Sequence, residues 1–171
     1  MRIGPELPAI RLRGLTTRVG RLRAVVRNRL IMMELVMART QRVLTRSDFD
    51  VRESSIAGIG QGLFPRITIY RGDTVGPYTG DVLTDKEAEQ DPYVNSLYNV
   101  WVCKDCWICG EGPEASYTRY INHSDEPNAR LVISSRWKTV RIEALKRIWP
   151  GQEIFIDYGP EYWECVGIHK R

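Results

Sequence analysis

A β-rich α+β domain preceded by a basic N-terminal helix is the fold class this sequence predicts. From Phe49 onward, short runs rich in Val, Ile, Tyr and Trp alternate with Gly, Pro, Asn and Asp turns. Only one helix-start pattern interrupts them. Residues 18–46 differ, because their apolar side chains recur mostly three or four apart. A chain of 171 residues with 43% hydrophobic and 27% charged side chains is globular and long enough to bury a core.

The elements follow in order. Residues 1–15 hold two Pro and two Gly and read as an irregular arm. Over 18–46, Val19, Leu22, Val26, Leu30, Met33, Met37 and Leu44 form one stripe. Arg18, Arg21, Arg23, Arg27 and Arg29 fill the other faces. Four readings of this helix stand side by side. It packs its stripe on the domain, contacts nucleic acid, serves as an Arg-rich presequence, or precedes a true start at Met32, Met33 or Met37. Strands are expected at 49–53, 62–64, 73–78, 97–102, 129–134, 138–143 and 153–157. Thr84 and Glu87 make a capping box that opens a short helix through Gln90.

Charge divides the chain. Residues 1–46 carry eleven Arg against two Glu, a net +9, while 47–171 carry 14 basic and 19 acidic side chains, a net −5. An acidic body suits a basic partner, such as a Lys/Arg-rich peptide, or is plain solvated surface. No apolar run reaches membrane-span length, and none near the start makes a secretory core, so no membrane association is expected. Reduced thiols are then expected for Cys103, Cys106, Cys109 and Cys165, with a four-thiolate metal site as the alternative.

Three blocks carry chemistry. In Gly58-Ile59-Gly60-Gln61-Gly62-Leu63-Phe64, the glycines let a ligand approach the main-chain amides; the plainer reading is a turn between strands. Arg119-Tyr120-Ile121-Asn122-His123-Ser124-Asp125-Glu126-Pro127-Asn128-Ala129 packs donors and acceptors densely enough to read a flat heterocycle by its edge. A polar turn before Pro127, or a general base at His123, also fits. Gly151-Gln152-Glu153-Ile154-Phe155-Ile156-Asp157-Tyr158-Gly159 ends a β run on an acid and a tyrosine.

Taken together and in this order, the blocks resemble the SET-domain family of lysine methyltransferases, from about Asp50 to Trp163. Tyr78-Thr79-Gly80 stands where that family has its Tyr-x-Gly turn. The resemblance implies a SET fold of several small sheets with a C-terminal pseudoknot, formed by the segments 119–128 and 153–158. It implies S-adenosylmethionine as cofactor, held by Gly58, Ile59, Gly60, Gln61, Gly62, Arg119 and Asn122, with His123 beside the adenine. It implies Tyr158 as the active-site tyrosine, with Tyr78 and Ile156 lining the lysine channel. A histone tail is the expected substrate and the nucleus the expected location, with cytoplasm or mitochondrion as alternatives. The domain is expected over 47–164, with 1–46 outside the match and a short tail over 165–171. A SET module that binds without turnover, and a methyltransferase of a non-histone protein, are the rival functions.

Chemistry agrees with these roles. Methyl transfer from a sulfonium needs no metal and no covalent intermediate. It needs a neutral amine, whereas free Lys is protonated at neutral pH. A narrow channel desolvates the ammonium and aligns it for attack. The chain departs from the family pattern at three places. Asp125 stands where many members have a zinc-binding Cys, so a zinc site after the domain is not expected. Ala115-Ser116 replaces a Gly-Asn pair. Ile156 replaces a frequent Phe or Tyr, which implies a roomier site and a di- or trimethylated product.

Overall fold

The computed structural model describes residues 44–167. The predicted basic helix therefore lies outside the described residues, except for its last turn, which is not helical. Thr45 is extended and caps a new 3-10 turn over Arg46–Asp48, and the Asp48 carboxylate accepts the Thr45 N–H at 2.9 Å. That reciprocal cap starts an element, so no helix runs through it. Leu44 is buried in the main core.

Four small sheets make up the domain. β1 (Phe49–Glu53) pairs antiparallel with β2 (Gln61–Pro65). β3 (Thr74–Tyr78) belongs to a second sheet, ordered β3-β9-β8, with β8 at Ala129–Ser134 and β9 at Thr139–Ala144. A third sheet, ordered β4-β6-β5, joins β4 (Asp81–Leu83), β5 (Asn99–Cys103) and β6 (Cys106–Cys109). β7 (Asn122–His123) runs parallel to β10 (Phe155–Ile156). Helix α1 (Asp85–Ala88) starts at the predicted Thr84–Glu87 capping box, and α2 (Pro160–Cys165) closes the described chain. No described helix is long and apolar enough to cross a membrane.

Alternation places the core. In β9, Val140, Ile142 and Ala144 point inward while Thr139 and Arg141 face solvent. The main core gathers Phe49, Leu63, Ile69, Val75, Ile142, Ile148 and Ile154. Each such side chain contributes roughly 1.5–3 kcal/mol by leaving water. Tyr78, Val102, Cys106, Ile108 and Val140 form a second cluster between the β3 and β5 sheets. Cys109 lies on the opposite face of β6 from Cys106, since three positions separate them, and packs with Leu83 and Ala88. Cys165 is exposed on α2. The four thiols do not gather, so the four-thiolate alternative is not met. Among the described residues no three His, Cys, Asp or Glu side chains stand close enough to share a metal ion.

The expected pseudoknot takes its form around β10. Successive residues of a strand direct their N–H and C=O groups to opposite sides. On one side the Ile156 carbonyl accepts the Ser124 N–H at 3.0 Å. On the other, the Phe155 carbonyl accepts the Asn128 N–H at 3.2 Å. The Asn128 side chain completes that side: its Nδ2 donates to the Glu153 carbonyl at 2.8 Å, and its Oδ1 accepts the Phe155 N–H at 2.9 Å. The loop 122–128 thus wraps β10. Strand 153–157 is shorter than predicted because its first residues leave the ladder. The Ile154 N–H donates to the Leu63 carbonyl, and the Asn128 amide serves Glu153.

Asn128 is buried, and both ends of its amide serve main-chain groups. Asn128→Ala strands a carbonyl and an N–H there, so it should destabilise the domain by about 2–6 kcal/mol, two orphaned buried groups at roughly 1–3 each. Urea unfolding at neutral pH checks this, and Asn128→Asp should not rescue it, because a buried carboxylate oxygen would face the Glu153 carbonyl.

Candidate active site

The site is built around a buried carboxylate that the sequence blocks contain but do not single out. Glu153 is 4% exposed. Its Oε1 accepts from Ser54 Oγ at 2.8 Å and from Asn122 Nδ2 at 3.0 Å. Its Oε2 accepts from the Ser55 N–H at 2.6 Å and Ser55 Oγ at 2.5 Å. Burial alone would push this carboxyl up, but the hydrogen bonds from Ser55, Asn122 and Ser54 outweigh it and hold it below its ordinary value. A Cβ on Gly62 would collide with this carboxylate. Glycine is therefore required at that position for close approach rather than for backbone freedom.

This carboxylate fixes the base of the glycine loop. Ser54 and Ser55 lead into it, and the Ser54 N–H donates to the Gly60 carbonyl at 2.8 Å, which closes it. Gly58, Ile59 and Gly60 sit exposed at its tip, with Gly58 and Gly60 at φ +80° and +96°. Gln61 begins β2, and its carbonyl accepts from Asn122 Nδ2 at 2.9 Å. Both hydrogens of the Asn122 amide are thus committed to protein acceptors.

His123 follows on β7. Its Nδ1 accepts the Tyr158 N–H at 3.2 Å, and its ring meets Trp163 edge-on at 4.8 Å. Asp125 and Asp157 approach its two ring nitrogens at 3.4 and 3.6 Å. The imidazole therefore anchors the turn at Tyr158 rather than standing open as a base.

Beyond Asn122 lies a group of tyrosines. Tyr158 Oη donates to the carbonyl of Ile121, the neighbour of Asn122, at 2.8 Å. One peptide unit thus links the loop side of the site to the tyrosine side. Tyr78 is 8% exposed, and its hydroxyl donates to the Tyr98 carbonyl at 2.8 Å. It lies against Gly110, where a Cβ would strike its hydroxyl. The Arg119 guanidinium sits over the Tyr98 ring at 4.4 Å, and Tyr162 meets Tyr158 edge-on at 4.5 Å. Burial pushes the Tyr78 hydroxyl well above its ordinary range; Cys109 and Tyr158 add to this and Arg119 opposes it. Burial likewise raises Tyr158, with Tyr162 and Tyr98 adding to it. Both phenols stay protonated at neutral pH. Arg119 Nε is buried with no hydrogen-bond partner among the described residues. Ile156 is buried in the main core, against which Tyr158 packs.

The structure thus brings Gln61, Gly62, Asn122, His123 and Tyr158 into one bonded chain, with Tyr78 and Arg119 joined through Tyr98. The loop tip and the buried Ile156 flank it. Sequence reasoning missed Glu153, Ser54, Ser55, Tyr98 and Tyr162. The signal for the first three was an acid inside a β run, together with a Ser pair before a glycine loop. Tyr98 and Tyr162 had no such signal.

Glu153 sets a pH dependence. Its folded pKa lies below the ordinary 4.5, so the stability it contributes is present above 4.5 and is lost as pH falls through the folded value. Glu153→Gln should cost about 2–4 kcal/mol at pH 7, because its NH2 faces donors. The gap to wild type should narrow in acid, which denaturant titrations across the acid range measure.

Comparison with known proteins fits this geometry. Residues 60–159 match the model of the SET domain. Histone-lysine N-methyltransferase CLF of Arabidopsis thaliana is 28% identical over 131 residues, which cover 74% of this chain and 14% of that protein. The CLF protein of Oryza sativa subsp. japonica is 30% identical over 138 residues, with the same two coverages. A histone-lysine N-methyltransferase of Cryptococcus neoformans var. neoformans, H3 lysine-4 specific, is 31% identical over 107 residues, 58% of this chain and 7% of that one. The chain therefore spans about one seventh of the length of the first of these relatives. A solved structure, a humanized mutant of the Chaetomium thermophilum Polycomb Repressive Complex 2 bound to the inhibitor GSK126, shares the fold. Its TM-score is 0.56 at 23% identity, over 68% of this chain and 16% of that one. The match covers 100 of the 171 residues and holds Gly60–Gly62, the polar block, the wrapped β10, Tyr78 and Tyr158, and the chain belongs to the SET-domain family.

Proposed function

We propose that this chain is a protein-lysine N-methyltransferase that uses S-adenosylmethionine, with the tail of a histone as its substrate and the nucleus as its location. Residues 47–164 are then its catalytic domain. The observation that carries the reading is the pair of protonated phenols, buried Tyr78 and half-buried Tyr158, with Tyr158 set one peptide unit from the Asn122 and glycine-loop network. The relatives named histone-lysine methyltransferases support it.

The donor set suits the cofactor. Arg119 Nε, a buried donor without a partner, suits a carboxylate. Asn122 has both amide hydrogens engaged, which leaves its oxygen to accept from an ammonium. Gly58, Ile59, Gly60, Gln61 and Gly62 would offer main chain to the methionine end, and His123 would stand beside the adenine. S-adenosylmethionine supplies, when bound, a methyl group on a positively charged sulfur.

The chain's own residues do the rest. The tyrosine group excludes water from the substrate amine and so favours its neutral form. Tyr158 donates its proton to the Ile121 carbonyl, so its oxygen lone pairs remain to orient the amine. Its raised pKa rules it out as a base at neutral pH, so the ammonium gives its proton to solvent water before it enters the channel and attacks as the neutral amine. Tyr78 would line the lysine channel, its hydroxyl held by the Tyr98 carbonyl. Ile156 brings no hydroxyl to tether a water, which favours two or three methyls over one.

Transfer of labelled methyl to core histones, followed by mass spectrometry, tests the reading. Tyr158→Phe should lower the rate by about 100-fold or more while cofactor binding stays near wild type, with the melting temperature lowered by the few degrees that about 1–3 kcal/mol for the orphaned Ile121 carbonyl implies. In the wild type the rate should climb with pH and show no break at the ordinary tyrosine value of 10.0. Cofactor binding without transfer to any histone would favour a binding module or a non-histone substrate. Absence of cofactor binding would sink the proposal.

A further inference from the structure

Basic residues in the described domain are not spread evenly. Residues 129–150, covering β8, β9 and the loop after them, hold six basic side chains against one acid, Glu143. The remainder of 44–167 holds seven basic against eighteen acidic. Strand alternation exposes Arg130 and Arg141 on the solvent face of the sheet, where both reach the single carboxylate of Glu143, at 2.7 and 3.3 Å. One acid shared between two guanidinium groups leaves the face positive.

Each end of β9 carries an arginine on an exposed indole. At the β8–β9 turn, Trp137 is 70% exposed, with Arg136 over its ring at 4.9 Å and Lys138 beside it. After β9, Ile148 is buried and bridged to Ile69, which anchors the loop and leaves its neighbours outward. There Arg147 lies 5.1 Å from both the Tyr70 and Trp149 rings, and Trp149 is 55% exposed, with Lys146 and Arg71 exposed nearby. Trp137 and Trp149 do no core packing, and each presents an exposed ring with an arginine beside it. The six residues of β9 set the two clusters about 20 Å apart.

We propose that this face binds single-stranded nucleic acid. Arg130, Arg141, Lys146 and Arg147 would neutralise backbone phosphates, and Trp137 and Trp149 would stack bases at the two ends. An acidic peptide would satisfy the charge but would leave the indoles without a role, and a duplex would keep its bases from them. The segment 1–46 is itself basic and is no complement to this face. Tyr78 and Val140 lie on the buried side of the same sheet, so occupancy here leaves the tyrosine group clear. The proposal does not rest on the methyltransferase reading.

Fluorescence anisotropy with the full chain tests it, using labelled oligonucleotides of about 16 nucleotides as single strands and as a duplex. The double variant Lys146→Glu/Arg147→Glu should weaken single-strand binding about tenfold or more and flatten the salt dependence, by roughly 0.7 in slope for each phosphate no longer neutralised. Trp137→Ala/Trp149→Ala should weaken single-strand binding about tenfold or more and leave duplex binding near wild type. All four positions are exposed, so melting temperatures should hold; if the Trp149 change shifts the melt, Trp137→Ala with Lys138→Glu replaces it. Affinity unchanged in both double variants overturns the proposal, because binding would then reside elsewhere in the chain. Preference for duplex with no tryptophan effect, or equal displacement by polyglutamate, overturns it as well. Methyl transfer to a free peptide, assayed without nucleic acid, should be the same in the tryptophan variant and wild type, which separates failure here from failure of the enzymatic reading.

Discussion

A buried carboxylate needs a reason to stay charged, and in this domain the reason is also the architecture of the site. Glu153 sits out of water and is held ionised by donors from Ser54, Ser55 and Asn122. The network joins three places in the chain: the entry to the glycine loop, the polar block on β7 and the segment leading into β10. Removing any one donor leaves a charge in a medium that tolerates it poorly. The loop, the polar block and the strand must therefore form together. Gly62 has no side chain because that carboxylate occupies the space.

The same economy runs through the tyrosine side. Asn128 satisfies the outer edge of β10 while the 122–124 segment satisfies the inner one, so a two-residue strand is bonded along both edges. That grip fixes Ile121 against Tyr158 and Asn122 against Gln61. The position of the phenol relative to the loop is then set by side-chain bonds to main-chain carbonyls that the wrapped strand holds in place. Under the proposed reading, phenols that stay protonated near neutrality would orient the amine and exclude water, so the site would act through positioning.

Much of the fold is legible in the sequence. Strands 49–53 and 129–134 coincide with β1 and β8, because their alternation is bounded by turn residues. The Thr84–Glu87 box starts α1 where the capping pattern puts it. β4, β6 and β7 escape sequence reading: β4 and β7 are two or three residues long, and Cys106-Trp-Ile-Cys109 carries no alternating pattern. α2 is hidden by Gly159-Pro160, which reads as a stop but here places Pro at the first helical turn after a residue at φ +84°.

The features with local causes are written along the chain: alternation, capping, glycine at crowded turns, and the ordered blocks that mark the family. The charge contrast between 129–150 and the rest of the domain belongs with them. Which groups meet is a property of the folded domain alone. Glu153 and Ser54 are 99 positions apart, Tyr158 and Ile121 are 37 apart, and Tyr78 reaches Tyr98 across 20. No local rule pairs such residues, because the energy of a buried hydrogen bond depends on what the surrounding fold removes from water.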